Sequence, residues 1–233
     1  MADNTFDLSG RVEGVRDPQP PVLPVHFELE EIRQHFDESM EGIQRQEDTA
    51  RMLLESDQIE ACQDIWRSEF VFLESILDFF LHEISKYALY QMFTGNWGKS
   101  EKYYMIRVPM RDVENAYSDL SSKEWFFAFL NQSMGREVYL SADSMREQLN
   151  KIGIPFNDVM VRAFSQSSST DPVQAGRAKV KEMFERRNKI AHQNDRDHAS
   201  ADRTEITYET VQAYKEHSVG IVDAVYHIAA NKS

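Results

Sequence analysis

Arg186, Arg187, Asn188, Lys189 and His192 stand within seven consecutive positions of a 233-residue chain. Arginine carries a fixed charge and a forked set of donors that suits a phosphate. Histidine moves a proton near neutral pH. A fixed cation beside a proton carrier is what metal-independent cleavage of a phosphodiester needs. Arg187 and His192 are the central pair, with Asn188 as their polar neighbour and Lys189 as a further basic contact. Arg186 has two readings: a supporting phosphate contact, or an exposed arginine paired with Glu182.

Spacing constrains how these groups can meet. On an ideal helix, residues five apart are rotated by about 140° and separated by about 7.5 Å. Arg187 and His192 then lie on different faces, whereas Asn188 and His192, four apart, share one. Three arrangements bring Arg187 to His192. Its long side chain can wrap round, the helix can loosen near His192, or a two-fold dimer can pair two such helices into a joint cleft. The bland alternative is a basic turn near a helix C-terminus, favoured by the dipole.

Other constellations carry less. Glu74, Asp78 and His82 recur every four residues along an otherwise apolar stretch. A buried carboxylate without a partner is costly, so this stripe faces solvent or meets Arg or His elsewhere. Glu74 is an accessory candidate that pairs with Arg187 or orients His192; Asp78 and His82 read as solvent-facing. Gly95 to Ser100 echoes the end of a P-loop, but Phe93 stands where the first glycine belongs and no strand precedes it. The run from His192 to His198 fits no common zinc spacing and lacks the glycine of a calcium loop. No metal ligands and no cofactor are expected. Cys62 reads as packing.

The run Glu185-Arg186-Arg187-Asn188-Lys189-Ile190-Ala191-His192 resembles the motif of the HEPN superfamily. That motif is an arginine, four to six residues, then a histidine, often with a polar residue directly after the arginine. Arg67 to Ile84 resembles the long second helix of stand-alone prokaryotic members, and the order of elements is similar over roughly residues 28–230. The resemblance implies an all-α fold, an up-and-down helical bundle with a variable helical insertion. It implies a metal-independent endoribonuclease that leaves a 2′,3′-cyclic phosphate, with Arg187, Asn188 and His192 catalytic. By the same analogy the protein is a homodimer acting on RNA in phage defence or a toxin system, with an antitoxin or regulatory protein as a further partner. The alternatives are a non-catalytic HEPN module binding a nucleotide or a protein, and a helical scaffold whose acidic first helix recruits a basic partner.

Composition sets bounds. Hydrophobic residues make up 41% and charged residues 28%, ordinary for a soluble globular protein. Cys62 is the only cysteine, so no internal disulfide can form, which suits a reducing cytosol and a cytoplasmic protein. Met1 to Asp7 is acidic, with no signal-peptide core. The most apolar window, Phe70 to Ile84, is interrupted by Glu74, Asp78, His82 and Glu83, so it reads as a core helix rather than a membrane span. The net charge of −13 argues against loose, charge-driven binding of nucleic acid. That charge is uneven. Glu28 to Glu60 holds eleven acids against three arginines, whereas Arg177 to Lys189 holds six bases against two acids. The motif is a small basic island on an acidic protein.

The elements that must position it follow from periodicity. Residues 1–25 are proline-rich without a period and read as an extended or disordered arm. Residues 26–233 read as one all-α domain. Glu28 to Ala61 reads as one long amphipathic helix and Ile65 to Met92 as a second, buried on most sides. A connection follows, with a short extended piece at Tyr103–Val108, then a helix from Asp112 to Asn131. Ser141 caps a helix ending at Gly153, and a short helix follows Pro155. Ser165 to Thr170 reads as a linker. Asp171 as N-cap and Pro172 in the first turn start the motif helix, about 172–192. A polar loop over 193–206 leads to Thr207, which caps the closing helix, about 207–230.

Overall fold

The computed structural model describes residues 25–118, 122–165 and 170–232. The arm expected at 1–25 therefore lies outside the described residues but for its last position, as does most of the linker. Eight α-helices and no strand occur among the described residues; Arg196 and Arg203 form an isolated bridge. No described helix is long and apolar enough to cross a membrane.

The first helix, α1 (Leu29–Glu55), starts at a capping box in which the Glu31 carboxylate accepts from the Glu28 N–H at 2.7 Å. Leu29, Ile32, Phe36, Ile43 and Ala50 form its buried stripe. It does not continue to Ala61. Asp57 adopts the left-handed conformation (φ 59°), the chain reverses, and α2 (Ile59–Thr94) begins earlier than periodicity suggested. No glycine or proline marks the break. At 36 residues, α2 spans about 54 Å. It stops where Gly95 takes φ 88° and its N–H caps Gln91 and Met92.

Around α2 pack α1, α4 (Glu124–Met134), α7 (Pro172–Gln193) and α8 (Tyr208–Ala230). Between α2 and α4 the chain makes a single 3-10 turn, Tyr103–Met105, and α3 (Met110–Ser118). Of the extended piece expected at Tyr103–Val108, Tyr103–Met105 is thus a turn, while Ile106 is extended. The single helix expected over Asp112 to Asn131 is two. Next come α5 (Ala142–Lys151), capped by Ser141 Oγ accepting from the Ser144 N–H at 3.1 Å, and α6 (Phe156–Ala163). One large core joins α1, α2, α4, α5, α6 and α8, and α7 enters it at Val180. Phe70, Met183 and Tyr214 form a small separate cluster with Ile190 packed on it, tying α7 to α2 and α8 beneath the motif. A Cβ on Gly176 would stand 2.6 Å from Phe164, so only glycine lets α7 approach α6 this closely.

Glu69 is fully buried in α2, and neither carboxylate oxygen has a partner. Burial, reinforced by the nearby Glu47 charge and opposed by Lys215, pushes its pKa from 4.5 to about 8. Folding thus favours the protonated acid. That stabilisation is complete below the ordinary carboxylate value and is lost as pH climbs through about 8. Thermal melts should show wild type losing stability between pH 5 and 9, and Glu69→Gln should lose distinctly less. Parallel pH profiles would mean that Glu69 does not titrate in this range.

Candidate active site

The motif helix begins where the Asp171 carboxylate accepts from the N–H groups of Val173 and Gln174, both at 3.0 Å, with Pro172 in the first turn. Val180 and Met183 anchor it. The helix stays α-helical through Gln193, so it does not loosen at His192. It ends on two left-handed residues, Asn194 (φ 50°) and Asp195 (φ 60°), whose N–H groups both return to the Lys189 carbonyl.

Asp195 is the anchor of this end. It is fully buried, and its Oδ2 accepts from Arg67 Nε at 3.0 Å and from Arg186 Nη2 at 2.7 Å. Arg67 Nη2 also donates to the Thr204 carbonyl at 3.0 Å, and Arg186 Nη2 to the Glu205 carbonyl at 3.0 Å. The Thr204 N–H closes the loop onto the Asp195 carbonyl at 2.8 Å. Lys189 Nζ donates to Thr204 Oγ1 at 2.7 Å. The reading of Arg186 as paired with Glu182 is thereby corrected: its Nη2 is held beside the buried Asp195 carboxylate by charge-assisted hydrogen bonds. Lys189 shares the same loop, with donors to spare. Arg67 and Asp195 were not singled out in the sequence. They lie 128 residues apart, and no spacing pattern links them.

Arg187 behaves differently. Its Nη1 donates to Asn188 Oδ1 at 3.0 Å, while its Nε is buried without a partner. The guanidinium therefore bends round the helix toward the face that Asn188 shares with His192. His192 is exposed at the end of that face. Of the three routes by which Arg187 could approach His192, loosening of the helix is not taken, and the Asn188 contact is in keeping with a wrapped side chain.

Beneath Arg187 lies Glu74, 2% exposed, with Oε2 buried and unpartnered. Burial pushes its pKa to about 8, the Arg187 charge pulls it down and Asp78 pushes it up. The rest of the polar stripe does not face solvent as expected. Asp78 accepts from the Tyr139 N–H at 2.8 Å, and His82 Nε2 meets the Glu137 carbonyl at 3.0 Å with its ring against Tyr139. These contacts hold the segment before α5 onto α2, which a helical period cannot reveal.

At neutral pH a protonated Glu74 leaves the Arg187 charge uncompensated and available to an anion. Above about pH 8 the carboxylate forms and neutralises it. Any anion binding that uses Arg187 should accordingly weaken on the alkaline side with a midpoint near pH 8, and Glu74→Gln should remove that limb. An unchanged alkaline limb in Glu74→Gln would exclude this role.

Beside the motif, Val71 and Phe72 of α2, Ile190 of α7 and its C-cap Asn194 line a cleft of about 350 Å³, bordered by Arg203. Phe72 and Phe79, seven apart on α2, are 49% and 48% exposed. The described residues hold no cluster of three or more His, Cys, Asp or Glu suited to a metal ion.

Comparison with known families finds one model, RiboL-PSP-HEPN, matching residues 69–231. No curated protein and no solved structure matches the chain.

Proposed function

Because the chain belongs to the RiboL-PSP-HEPN family, and so to the superfamily its motif resembles, we propose that it is a metal-independent endoribonuclease. The family supports a nuclease-like module in coarse terms. The observation that carries the catalytic reading is the Arg187 Nη1–Asn188 Oδ1 contact of 3.0 Å, which turns the guanidinium toward the His192 face.

In this mechanism the RNA 2′-oxygen attacks the adjacent phosphorus and the bond to the 5′-oxygen breaks. His192 takes the 2′-OH proton or returns one to the leaving 5′-oxygen. Arg187 stabilises the charge that builds on the phosphorane. Asn188 accepts from Arg187 with its amide oxygen and keeps its Nδ2 donors for a phosphate oxygen. The products are a 2′,3′-cyclic phosphate and a 5′-OH. Digestion of single-stranded RNA in excess EDTA, with end-group analysis, tests the reaction. RNA bound but left intact would move the protein to the non-catalytic alternative.

The working unit of this proposal is a homodimer with the motif helices near the two-fold axis. Phe72 and Phe79 support it, since two half-exposed rings on one face beside the motif suit a self-complementary contact. Phe72→Glu with Phe79→Glu should give a folded monomer with at least tenfold less activity, read by light scattering and RNA cleavage together. Wild type that is fully active as a strict monomer would end the dimer reading. Family analogy extends the proposal to a cytoplasmic role in phage defence or a toxin system, restrained by an antitoxin or regulatory protein.

A further inference from the structure

Away from the motif, α2 closes a second cavity of about 490 Å³ against the 3-10 turn, α4 and α5. Glu74 and Leu89 are fifteen residues apart on α2, which places this cavity about 22 Å along the helix from Arg187. Met105, Ile106, Phe129, Leu130 and Met134 give it an apolar wall. Lys102, Arg107 and Lys151 line it too, and none of the three forms an ion pair among the described residues. Glu137 and Glu147 are its acids; the Glu137 carboxylate already accepts from Tyr139 Oη at 2.9 Å.

Gln148 also lines the cavity. It is 2% exposed, yet neither its Nε2 nor its Oε1 has a hydrogen-bond partner. Buried amides are nearly always paired, because an orphaned donor and acceptor keep their full desolvation cost. A side-chain amide presents a donor and an acceptor side by side, the pattern that meets the edge of a nucleobase with two hydrogen bonds. The apolar wall suits the flat faces of such a ring, and three unpaired cations suit a phosphate joined to it. The size falls within the range of small-molecule sites.

We propose that this cavity binds a single nucleotide unit, with the base paired to Gln148 and the phosphate held by Lys102, Arg107 and Lys151. The unit is a free nucleotide or one residue splayed out of an RNA strand; the recognition chemistry is the same. This site does not depend on the motif being catalytic.

Calorimetric titration of the full chain carrying His192→Ala keeps turnover out of the measurement. The probes are AMP, GMP, CMP and UMP, a short oligoribonucleotide, and ribose 5-phosphate as a control without a base. At least one mononucleotide should bind saturably. Gln148→Leu should weaken it about tenfold or more without lowering thermal stability, since it removes the orphaned amide. The same variant should leave ribose 5-phosphate unaffected, while Lys102→Glu with Arg107→Glu should weaken both. An oligoribonucleotide that binds with these dependences when no mononucleotide does would identify the source as RNA and uphold the site. No saturable binding of either, or binding indifferent to Gln148→Leu or to the charge reversals, would overturn it. Neither result bears on cleavage, which is read separately through His192.

Discussion

Replacing His192 with alanine should lower the rate of RNA cleavage by on the order of a hundredfold or more, the scale of a lost proton-transfer group. His192 is exposed at the end of α7, so the same substitution should leave stability within about 0.5 kcal/mol of wild type, as ordinary surface changes do. That separation matters, because a histidine needed only for packing would lose both together. Arg187→Ala should be comparably slow, since in the proposed mechanism it removes the charge that meets the phosphorane. Cleavage is measured on single-stranded RNA in excess EDTA, with cyclic phosphate ends as the signature. Equal rates in wild type and His192→Ala would mean that the histidine takes no part in the reaction.

The largest effect on stability belongs to Asp195. Its carboxylate lies between the guanidinium groups of Arg67 and Arg186, and all three side chains are largely shielded from water. Asp195→Ala leaves two arginines facing each other with only the exposed Asp64, 3.5 Å from Arg67 Nη1, as a counter-charge. Removing one partner of a buried ion pair costs about 3–5 kcal/mol. For a chain of this size that is a fall in melting temperature of roughly 10 °C. The loop over 194–206 should detach, and amide exchange near Thr204 should quicken. Replacing Arg67, Asp195 and Arg186 together by apolar residues of similar volume should recover much of the loss, because the desolvation cost disappears with the charges. A melting temperature within about 2 °C of wild type in Asp195→Ala would show that the triad contributes little.

Much of the helical order was legible because its signals are local. Ser141, Asp171 with Pro172, and Thr207 each cap a helix where their residue types suggested, by bonds spanning two or three residues. The join between α1 and α2 was not legible. Ser56, Asp57 and Gln58 carry no glycine or proline, and the apolar spacing runs on across them. The strain of a left-handed aspartate is borne by the packing of the two long helices, which no local pattern encodes. Within the site, the proximity of Glu74 and Arg187 was one of the readings open to the sequence, and the structure places the two side chains within electrostatic reach. Its burial could not be read, since a carboxyl on an apolar helix is equally consistent with a solvent stripe. The structural task of Arg186 was hidden for a related reason, since only the folded chain turns Asp195, nine residues on, back beneath it.

That turn has a consequence for the order in which the molecule assembles. The clamp on the motif helix joins α2 at Arg67, α7 at Arg186 and the loop at Thr204 and Glu205. Contacts of such long sequence separation are the slow ones to form, because the intervening chain must be closed before they are made. On a ribosome, α1 and α2 can pair while the rest is still being made, and α4 to α6 can add to them. The end that carries His192 cannot lock until residues beyond 205 have emerged. A chain cut short anywhere before that point would hold the motif on a helix end without this clamp. On the proposed function, full activity would then wait until Thr204 and Glu205 have been made and have closed onto Arg67 and Arg186.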